Sequence, residues 1–425
     1  MKQSLQRVAI LGGARIPFAR SNGAYAEASN KDMLTATLRG VVDKFQLHGE
    51  RLGEVAAGAV LKHSRDFNLC RESVLSSGLS AETPAYDVQM ACATGLQTAV
   101  NIANKIAVGQ IDSGIAGGVD TTSDAPIGVN EKLRKILLEA NRAKTNGAKL
   151  KALAKFRPSM LAPSTPAVTE PRTRMSMGQH AEATAKVWGI TREEQDQLAF
   201  DSHQKAAAAY DSGFYADLVV PFRSLERDNN LRADTSLEKM ASLKPAYDRA
   251  NGTLTAANST PLTDGASAVL LASEDWAAAR GLEPLAYLMH AETEAVDFAT
   301  GKEGLLMAPT YAVPRMLERA GLTLQDFDFY EIHEAFAAQV LCTLKAWNDP
   351  KFCAEQLGLD GVLGSIDRSR MNIRGGSLAL GHPFAATGGR ILATLAKIID
   401  ENRGGRGLIS ICAAGGLGIT AIVER

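Results

Sequence analysis

The chain has 425 residues, with 46 Lys and Arg against 47 Asp and Glu, a formal net charge of −1 at pH 7. Its 45% hydrophobic and 22% charged residues are typical of globular proteins, which excludes a mainly disordered, collagen-like or coiled-coil chain. The near-zero charge argues against a general nucleic-acid binder, so no nucleic-acid partner is expected.

The first 125 residues alternate short apolar runs with helical patterns, which predicts an α/β layered fold. A first strand is expected in VAILGGA, near the amino terminus, a second over 86–90, and a helix over 95–110. From 126 to 251 the chain is more charged and richer in Met, Pro and Arg, and small residues return near Leu254. We therefore predict one α/β domain over 1–125 and 252–275, an inserted domain over 126–251, and a second α/β domain over 276–425.

The two α/β parts repeat one pattern. Thr94-Gly95 precedes Gly117-Gly118, and Thr387-Gly388 precedes Gly415-Gly416. In each part we expect Thr-Gly to open a helix and Gly-Gly to end the next strand, which indicates a duplicated domain.

Residues 131–160 are strongly basic, with nine Lys and Arg and two Glu. Apolar residues at helical spacing predict an amphipathic helical hairpin, broken at Asn146-Gly147. One interpretation is a solvated helix pair whose apolar face packs on its own domain. The others are a surface that attracts an anionic ligand, a partner subunit or an anionic membrane.

Five cysteines are present, an odd number without a C-x-x-C pair: Cys70, Cys92, Cys342, Cys353 and Cys412. This pattern predicts neither a disulfide framework nor a zinc site, and no metal is expected. No apolar run reaches the roughly 18 residues of a membrane span, and the short apolar stretch near the amino terminus is a poor signal peptide. We expect a cytoplasmic protein with individual thiols.

Cys92 follows a predicted strand and stands just before a predicted helix, in QMACATG. The helix dipole would stabilise a thiolate there and lower the thiol pKa from about 8.5, which suits a nucleophile. A small buried hydrophobe is the equal alternative.

His382 lies between Gly and Pro on a loop before a helix, where it can act as a general base toward a thiol, although a lone loop histidine is often a surface residue. Cys412 ends a predicted strand over 407–411 and precedes small residues, whose backbone N–H groups could form an oxyanion hole. The alternative is an ordinary glycine-rich turn. His333 lies in EIHEAFA, which fails the H-E-x-x-H zinc signature because residue 337 is Ala.

These four blocks, in this order, resemble the thiolase family over essentially the whole chain. VAILGGARIPFAR, TREEQDQLAF and NGTLTAANS…TDGASA agree with it too. The sequence looks most similar to the β-subunit of the trifunctional fatty-acid oxidation complex and its bacterial counterparts. His333 in place of Asn, the Cys-Ala-Ala-Gly-Gly motif and the basic insertion carry that similarity. The resemblance implies duplicated α/β domains in αβαβα layers with an inserted loop domain that covers the active site.

The resemblance also implies a 3-ketoacyl-CoA thiolase of fatty-acid β-oxidation. His382 would deprotonate Cys92, whose thiolate takes the acyl group, while Cys412 protonates the acetyl-CoA enolate and then deprotonates CoA. The enolate oxygen would lie near His382 and His333, and backbone N–H groups of Cys92 and Ala414 would hold the tetrahedral oxyanion. A titratable His333 could alter the pH profile.

By the same resemblance, four residues would contact substrate or CoA: Met177, Thr260, Met307 and Phe336. No permanently bound cofactor is implied, with coenzyme A as co-substrate. Basic residues of the insertion would help to recruit its phosphates.

Three alternatives remain open. A biosynthetic acetoacetyl-CoA thiolase would run the same steps in reverse. A ketoacyl synthase would use a second His where this chain has Cys412. An acyl-CoA carrier would not need Cys92, His382 and Cys412 together. The implied partners are acyl-CoA, CoA, a second copy in a homodimer or homotetramer, a hydratase/dehydrogenase α-subunit, and a peripheral membrane contact through 131–160.

Overall fold

The computed structural model describes residues 5–167 and 169–425. The strands of the first half are β1 (Val8–Arg15), β2 (Ala19–Arg20), β3 (Glu54–Ala57), β4 (Ala85–Asp87), β5 (Ser113–Asp120) and β6 (Thr263–Ser273). The helices up to β6 are α1 (Asn30–Lys44), α2 (Leu69–Leu75), α3 (Thr94–Ala107), α4 (Glu131–Arg142), α5 (Asn146–Leu153), α6 (Met177–Trp188), α7 (Arg192–Asp211) and α8 (Leu237–Ala241).

The second half follows a short helix α9 (Glu274–Ala278). Its strands are β7 (Ala286–Ala295), β8 (Phe329–Ile332), β9 (Arg406–Ala413) and β10 (Leu417–Glu424). Its helices are α10 (Ala308–Ala320), α11 (Ala337–Trp347), α12 (Pro350–Leu357), α13 (Ser377–Leu380) and α14 (Thr387–Glu401).

The two halves share one strand topology. The first half has the order β4-β3-β5-β6-β1, and the second has β8-β9-β10-β7. In both, two parallel strands (β3 with β5, β8 with β9) are followed by antiparallel pairings. β1 and β7 join the halves through only two residue pairs. The predicted fold class, duplicated and layered α/β, is confirmed.

Three apolar clusters alternate with the strand layers of the two halves: one lies between the halves, and one lies on the outer face of each. On β1, Val8 and Ile10 face the central cluster, while Ala9 and Leu11 face the outer cluster of the first half, as the two-residue period of a strand requires. α3 and α14 fill the central cluster, α1 covers the outer face of the first half, and α10 and α11 cover that of the second. This is the expected αβαβα layering.

α3 and α14 meet at their amino-terminal ends through glycines. A Cβ on Gly388 would lie 2.1 Å from the backbone nitrogen of Leu96, and a Cβ on Gly95 would lie 2.7 Å from the carbonyl oxygen of Ala385. Real Cβ atoms do not approach backbone so closely. The glycine of each Thr-Gly pair therefore permits the contact that brings the two helix ends together.

Several predicted boundaries were wrong. β4 ends at Asp87 instead of residue 90, and β9 covers Arg406–Ala413 instead of 407–411. Gly117-Gly118 lies inside β5, where Gly118 meets the backbone of Ala385, and does not end the strand. Asn146-Gly147 opens α5, so the hairpin breaks before it. Among the described residues, no helix is long and apolar enough to cross a membrane.

Candidate active site

Cys92 lies in a turn between β4 and α3 that is fixed by its neighbours. Ala91 has a positive φ of 46°, a left-handed conformation that costs energy for a residue with a Cβ. The hydroxyl of Thr94 accepts from the N–H of Met90 at 2.9 Å and donates to the carbonyl of Ala91 at 2.7 Å. These bonds hold the turn and set the direction of the Cys92 side chain.

His382 is held on its loop between α13 and α14 at two points. Its backbone N–H donates to the hydroxyl of Thr263 at 2.8 Å, and its Nδ1 lies 2.5 Å from the Thr387 hydroxyl. Its Nε2 lies 3.1 Å from Cys92 Sγ. With the ring proton on Nδ1, the ring donates to Thr387, and Nε2 accepts the thiol S–H. The structure therefore brings together a thiol and a base that are 290 residues apart.

His333 completes a compact group with these two. It directly follows β8, and its ring centroid lies 4.2 Å from that of His382. One ligand-type atom each of Cys92, His333 and His382 lie within 4.8 Å of one another. Because His333 is only 2% exposed, its ring is shielded from bulk water.

Burial makes the thiol and the imidazoles neutral at rest. It raises the pKa of Cys92 to about 12, against the backbone N–H groups of Ala414 and Cys92 itself, which act to lower it. It also lowers the pKa of His382 to about 3, with Arg390 adding to the effect, and holds the pKa of His333 well below its usual range. The expectation that the helix dipole lowers the Cys92 pKa was wrong, because desolvation outweighs it.

Cys412 lies in β9, next to the Cys92 turn. It is 4% exposed and belongs to the outer apolar cluster of the second half, whereas Ile411 faces the central cluster. Burial and the charge of an ionised Cys92 raise the pKa of Cys412. The following turn is held by Glu170, whose carboxylate accepts from the N–H of Gly415 at 2.7 Å. A protonated thiol placed there can donate a proton.

The residues expected to bind substrate come from several elements. Met177 opens α6, and Met307, next to α10, is fully buried with its sulfur 3.4 Å from the amide nitrogen of Gln339. The Thr260 hydroxyl donates to a backbone carbonyl at 3.0 Å, and the neighbouring Ser259 forms a β-bridge with Phe336. The Thr260 hydroxyl is thus already engaged.

A cleft of about 290 Å³ lies beside these residues. Ser259, Pro261 and Leu378 form part of its wall, but the four residues expected to bind substrate are not among its lining residues. Its charged side chains are Arg20, Arg232, Lys239 and Asp234, which pairs with Lys239 at 3.5 Å. Burial lowers the pKa of His203, which also lines the cleft, to about 4. Sequence reasoning missed these residues, because they form no motif and Arg20 lies far along the chain from the others.

Comparisons with known proteins agree with this arrangement. The profile of the thiolase amino-terminal domain matches residues 8–275, and that of the thiolase carboxy-terminal domain matches 282–425. A 3-ketoacyl-CoA thiolase of Shewanella loihica is 44% identical, covering 98% of this chain and 97% of the relative. One from Pectobacterium carotovorum is 43% identical, covering 98% and 96%.

Two solved structures have the same fold. The acetyl-CoA acetyltransferase of Bacillus anthracis superposes with a TM-score of 0.82 at 27% identity, covering 99% of both chains. Human mitochondrial 3-ketoacyl-CoA thiolase superposes with a TM-score of 0.81 at 28% identity, covering 99% of this chain and 100% of the other. The resemblance noted in the sequence is thereby confirmed.

Proposed function

Because this chain belongs to the thiolase family and is an acyltransferase, we propose that it cleaves 3-ketoacyl-CoA with CoA, giving acetyl-CoA and a shortened acyl-CoA in fatty-acid β-oxidation. The contact of 3.1 Å between Cys92 Sγ and His382 Nε2 carries the proposal. It provides a nucleophile and its base in one buried site, which covalent acyl transfer requires.

In the first half-reaction, His382 Nε2 takes the proton of Cys92 as the sulfur attacks the 3-keto carbon. The tetrahedral adduct collapses by breaking the bond between C2 and C3. The acyl group stays on Cys92 as a thioester, and the bonding electron pair leaves with the acetyl-CoA enolate. Cys412 then protonates C2 of the enolate, and acetyl-CoA departs.

In the second half-reaction, the Cys412 thiolate takes the proton of the CoA thiol. The CoA sulfur attacks the Cys92 thioester, the shortened acyl-CoA leaves, and the Cys92 thiolate recovers its proton from His382. Protons and thiols are thereby restored, and no resident cofactor or metal enters any step. Dividing carbon–carbon cleavage into two acyl transfers lowers each barrier.

Two oxyanions need stabilisation in this scheme. The backbone N–H groups of Cys92 and Ala414, which already act on the Cys92 sulfur, suit the tetrahedral oxyanion. His382, protonated after the first step, and the adjacent His333 suit the enolate oxygen. Both histidines are buried, so their hydrogen bonds act in a low-dielectric site.

The cleft beside Ser259 is our candidate for the CoA moiety. Arg20, Arg232 and Lys239 bring positive charge to it, which the phosphates of CoA require. Arg232 and Lys239 belong to the predicted inserted domain, whereas Arg20 does not. Met177, Thr260, Met307 and Phe336 remain our candidates for the pantetheine and acyl portions.

Replacing Cys92 tests the central proposal. Cys92→Ala should abolish CoA-dependent cleavage of 3-ketoacyl-CoA, and incubation of the unaltered protein with acetyl-CoA should add an acetyl mass to the peptide that contains Cys92. Cys70→Ala, which removes a buried thiol near β3, serves as control and should retain turnover. Substantial turnover by Cys92→Ala, or no mass increase, would contradict the covalent mechanism and favour a carrier.

A chain-length series decides between degradation and biosynthesis. Turnover of 3-ketoacyl-CoA substrates with 4 to about 16 acyl carbons should favour the longer ones if the chain acts in β-oxidation. A strong preference for acetoacetyl-CoA would instead indicate a biosynthetic acetyl-CoA acetyltransferase, the activity named for the Bacillus anthracis structure.

The hairpin α4–α5 is a candidate surface for a partner hydratase/dehydrogenase subunit or an anionic membrane. The two helices pack chiefly on each other, which leaves Leu137, Leu150 and Leu153 from 44 to 68% exposed beside the basic side chains. The expected packing of this apolar face on its own domain is absent for these side chains. Exposed apolar and basic groups together suit an anionic amphipathic surface.

Deletion of residues 131–160 should abolish co-sedimentation with vesicles of anionic phospholipid, or pull-down of a partner subunit. Leu150→Glu should weaken the same interaction, while Val187→Glu, on the exposed side of α6, should not. No change in either assay would leave only a role in covering the site or recruiting CoA.

We further propose a cytoplasmic homodimer or homotetramer, and the domain boundaries 1–125 with 252–275, 126–251 and 276–425.

A further inference from the structure

The ring of His333 is held from behind by a serine. Its Nδ1 lies 3.0 Å from the Oγ of Ser377, the first residue of α13. Within residues 5–167 and 169–425, its Nε2 has no hydrogen-bond partner, although it is buried. The ring is stacked obliquely against His382. His333 is thus anchored through Nδ1, and its Nε2 is left unpartnered in the group that it forms with Cys92 and His382.

Ser377 is itself held by a buried arginine. Arg390, on α14, donates from Nη2 to Ser377 Oγ at 2.7 Å, and its Nη1 lies 3.8 Å from a carboxylate oxygen of Glu331 on β8. Ser377, Arg390 and Glu331 are each at most 2% exposed. The chain Glu331–Arg390–Ser377–His333 therefore runs through the interior, out of reach of bulk water.

The order of donors in this chain determines the form of His333. A guanidinium only donates, so the bond from Arg390 uses a lone pair of Ser377 Oγ. The hydroxyl hydrogen needs an acceptor, and among the described residues His333 Nδ1 is the acceptor in contact with this hydroxyl. If Nδ1 carried the ring proton instead, the buried hydroxyl hydrogen would have no partner, which is unfavourable in the interior.

We propose that Ser377, whose hydroxyl accepts a hydrogen bond from Arg390, is a positioning residue that fixes His333 in the tautomer with its proton on Nε2. The ring then presents an N–H donor to the enolate oxygen, which is the role that an amide N–H could fill at the same position. Burial and the positive charges nearby oppose protonation of the ring, in agreement with a neutral donor. This inference rests on the proposed function for its catalytic meaning, but not for the tautomer.

The tautomer can be measured on the resting protein. In protein labelled with ¹⁵N-histidine, the His333 resonances are assigned by their loss in His333→Asn. We expect the unaltered chain to carry the proton on Nε2 and Ser377→Ala to show a shift toward Nδ1 or a mixture. Ser77→Ala removes a buried hydroxyl of the first half, which donates to the backbone carbonyl of Val74, and should leave the tautomer unchanged. A proton on Nδ1 in the unaltered chain would overturn the proposal.

A double-mutant cycle tests the consequence for turnover. Ser377→Ala should lower kcat about tenfold with KM changed less than twofold, the worth of one hydrogen bond expressed in the transition state. In a His333→Asn background, where an amide supplies its own N–H, the same change should alter kcat less than twofold. Equal losses in both backgrounds would show that Ser377 acts through general structure and would overturn the proposal.

The two proposals fail in different ways. If the NMR spectra show the expected tautomers while no 3-ketoacyl-CoA is cleaved, the proposed function fails and the positioning of His333 stands. If cleavage proceeds but Ser377→Ala leaves the His333 tautomer unchanged, the positioning role fails and the function stands.

Discussion

The two halves of the molecule have the same strand topology but carry different side chains just before the helix that each Thr-Gly pair opens. In the first half, Cys92 stands two residues before the threonine that opens α3. The corresponding position before α14 holds Ala385. His382 stands five residues before Thr387, where the first half has Gln89. Each half alone lacks either the proposed nucleophile or the proposed base, so the candidate site exists only where the two helix ends meet.

The opening threonines differ in the same way. Thr94 uses its hydroxyl on the backbone of its own turn, bonding Met90 and Ala91. Thr387 uses its hydroxyl on a side chain, the Nδ1 of His382. One threonine therefore shapes the turn that holds Cys92, the proposed nucleophile, whereas the other orients His382, the proposed base. Experiments on the proposed base, on the contact between the halves, on the thiol and on the threonines test this difference between the halves.

The largest effect is expected on removing the base. His382→Gln keeps a side chain of similar length but cannot take the proton of Cys92, so kcat for 3-ketoacyl-CoA cleavage should fall about 10³-fold, within the usual range for general-base catalysis. His203→Gln, which removes a histidine from the wall of the basic cleft, should lower kcat far less. Comparable losses in steady-state assays of the two variants would contradict the assignment of the base.

The contact between the halves should be nearly as sensitive. In Gly388→Ala the new Cβ would meet the backbone nitrogen of Leu96, so α3 and α14 must separate. We expect a loss of about 3 kcal/mol in the free energy of unfolding, at the upper end for overpacking, and a matching loss of turnover. Gly147→Ala, in exposed α5 with open space around it, should instead stabilise by up to about 1 kcal/mol. Urea unfolding of both variants measures this, and equal stability would contradict the close contact.

The pH dependence of alkylation tests the thiol. Because the Cys92 pKa is about 12, the thiol is protonated at neutral pH, and its thiolate fraction rises about tenfold for each pH unit below that pKa. Alkylation of Cys92 by iodoacetamide should therefore rise steadily from pH 6.5 to 8.5. Peptide mass mapping should show Cys412, the more deeply buried thiol, reacting later. A plateau near pH 7 would indicate a thiolate–imidazolium pair instead.

Much of the fold, and the individual residues of the candidate site, could be predicted from sequence because their signals are local. The alternation of apolar runs and helices indicates layered α/β structure, and each Thr-Gly marks a helix start correctly. That Cys92 and His382 meet was implied only by the family resemblance, since no spacing rule relates residues 290 positions apart. Conversely, the direction of the Cys92 pKa shift was predicted wrongly. Burial depends on the whole folded chain, and its effect on the pKa outweighs that of the helix end.

The cleft shows what local patterns cannot supply. Arg20 is far along the chain from Arg232 and Lys239 and becomes their neighbour only through folding. Ser377 was missed for the same reason, since its contact with His333 crosses from α13 to the end of β8. The one strong charge signal in the sequence, at 131–160, lies instead on an exposed hairpin.

The smallest effects are expected at the two opening threonines, where one substitution should have two different outcomes. Thr387→Val should lower kcat about tenfold with little change in stability, because it frees the ring of His382. Thr94→Val should instead lower the free energy of unfolding by about 1–2 kcal/mol, because the backbone groups of Met90 and Ala91 lose their partner. Steady-state kinetics and urea unfolding give kcat and the free energy of unfolding for each variant. If the two variants lost stability and kcat in the same proportion, the two threonines would have the same role. The assignment of Thr94 to the turn and of Thr387 to the orientation of His382 would then be wrong.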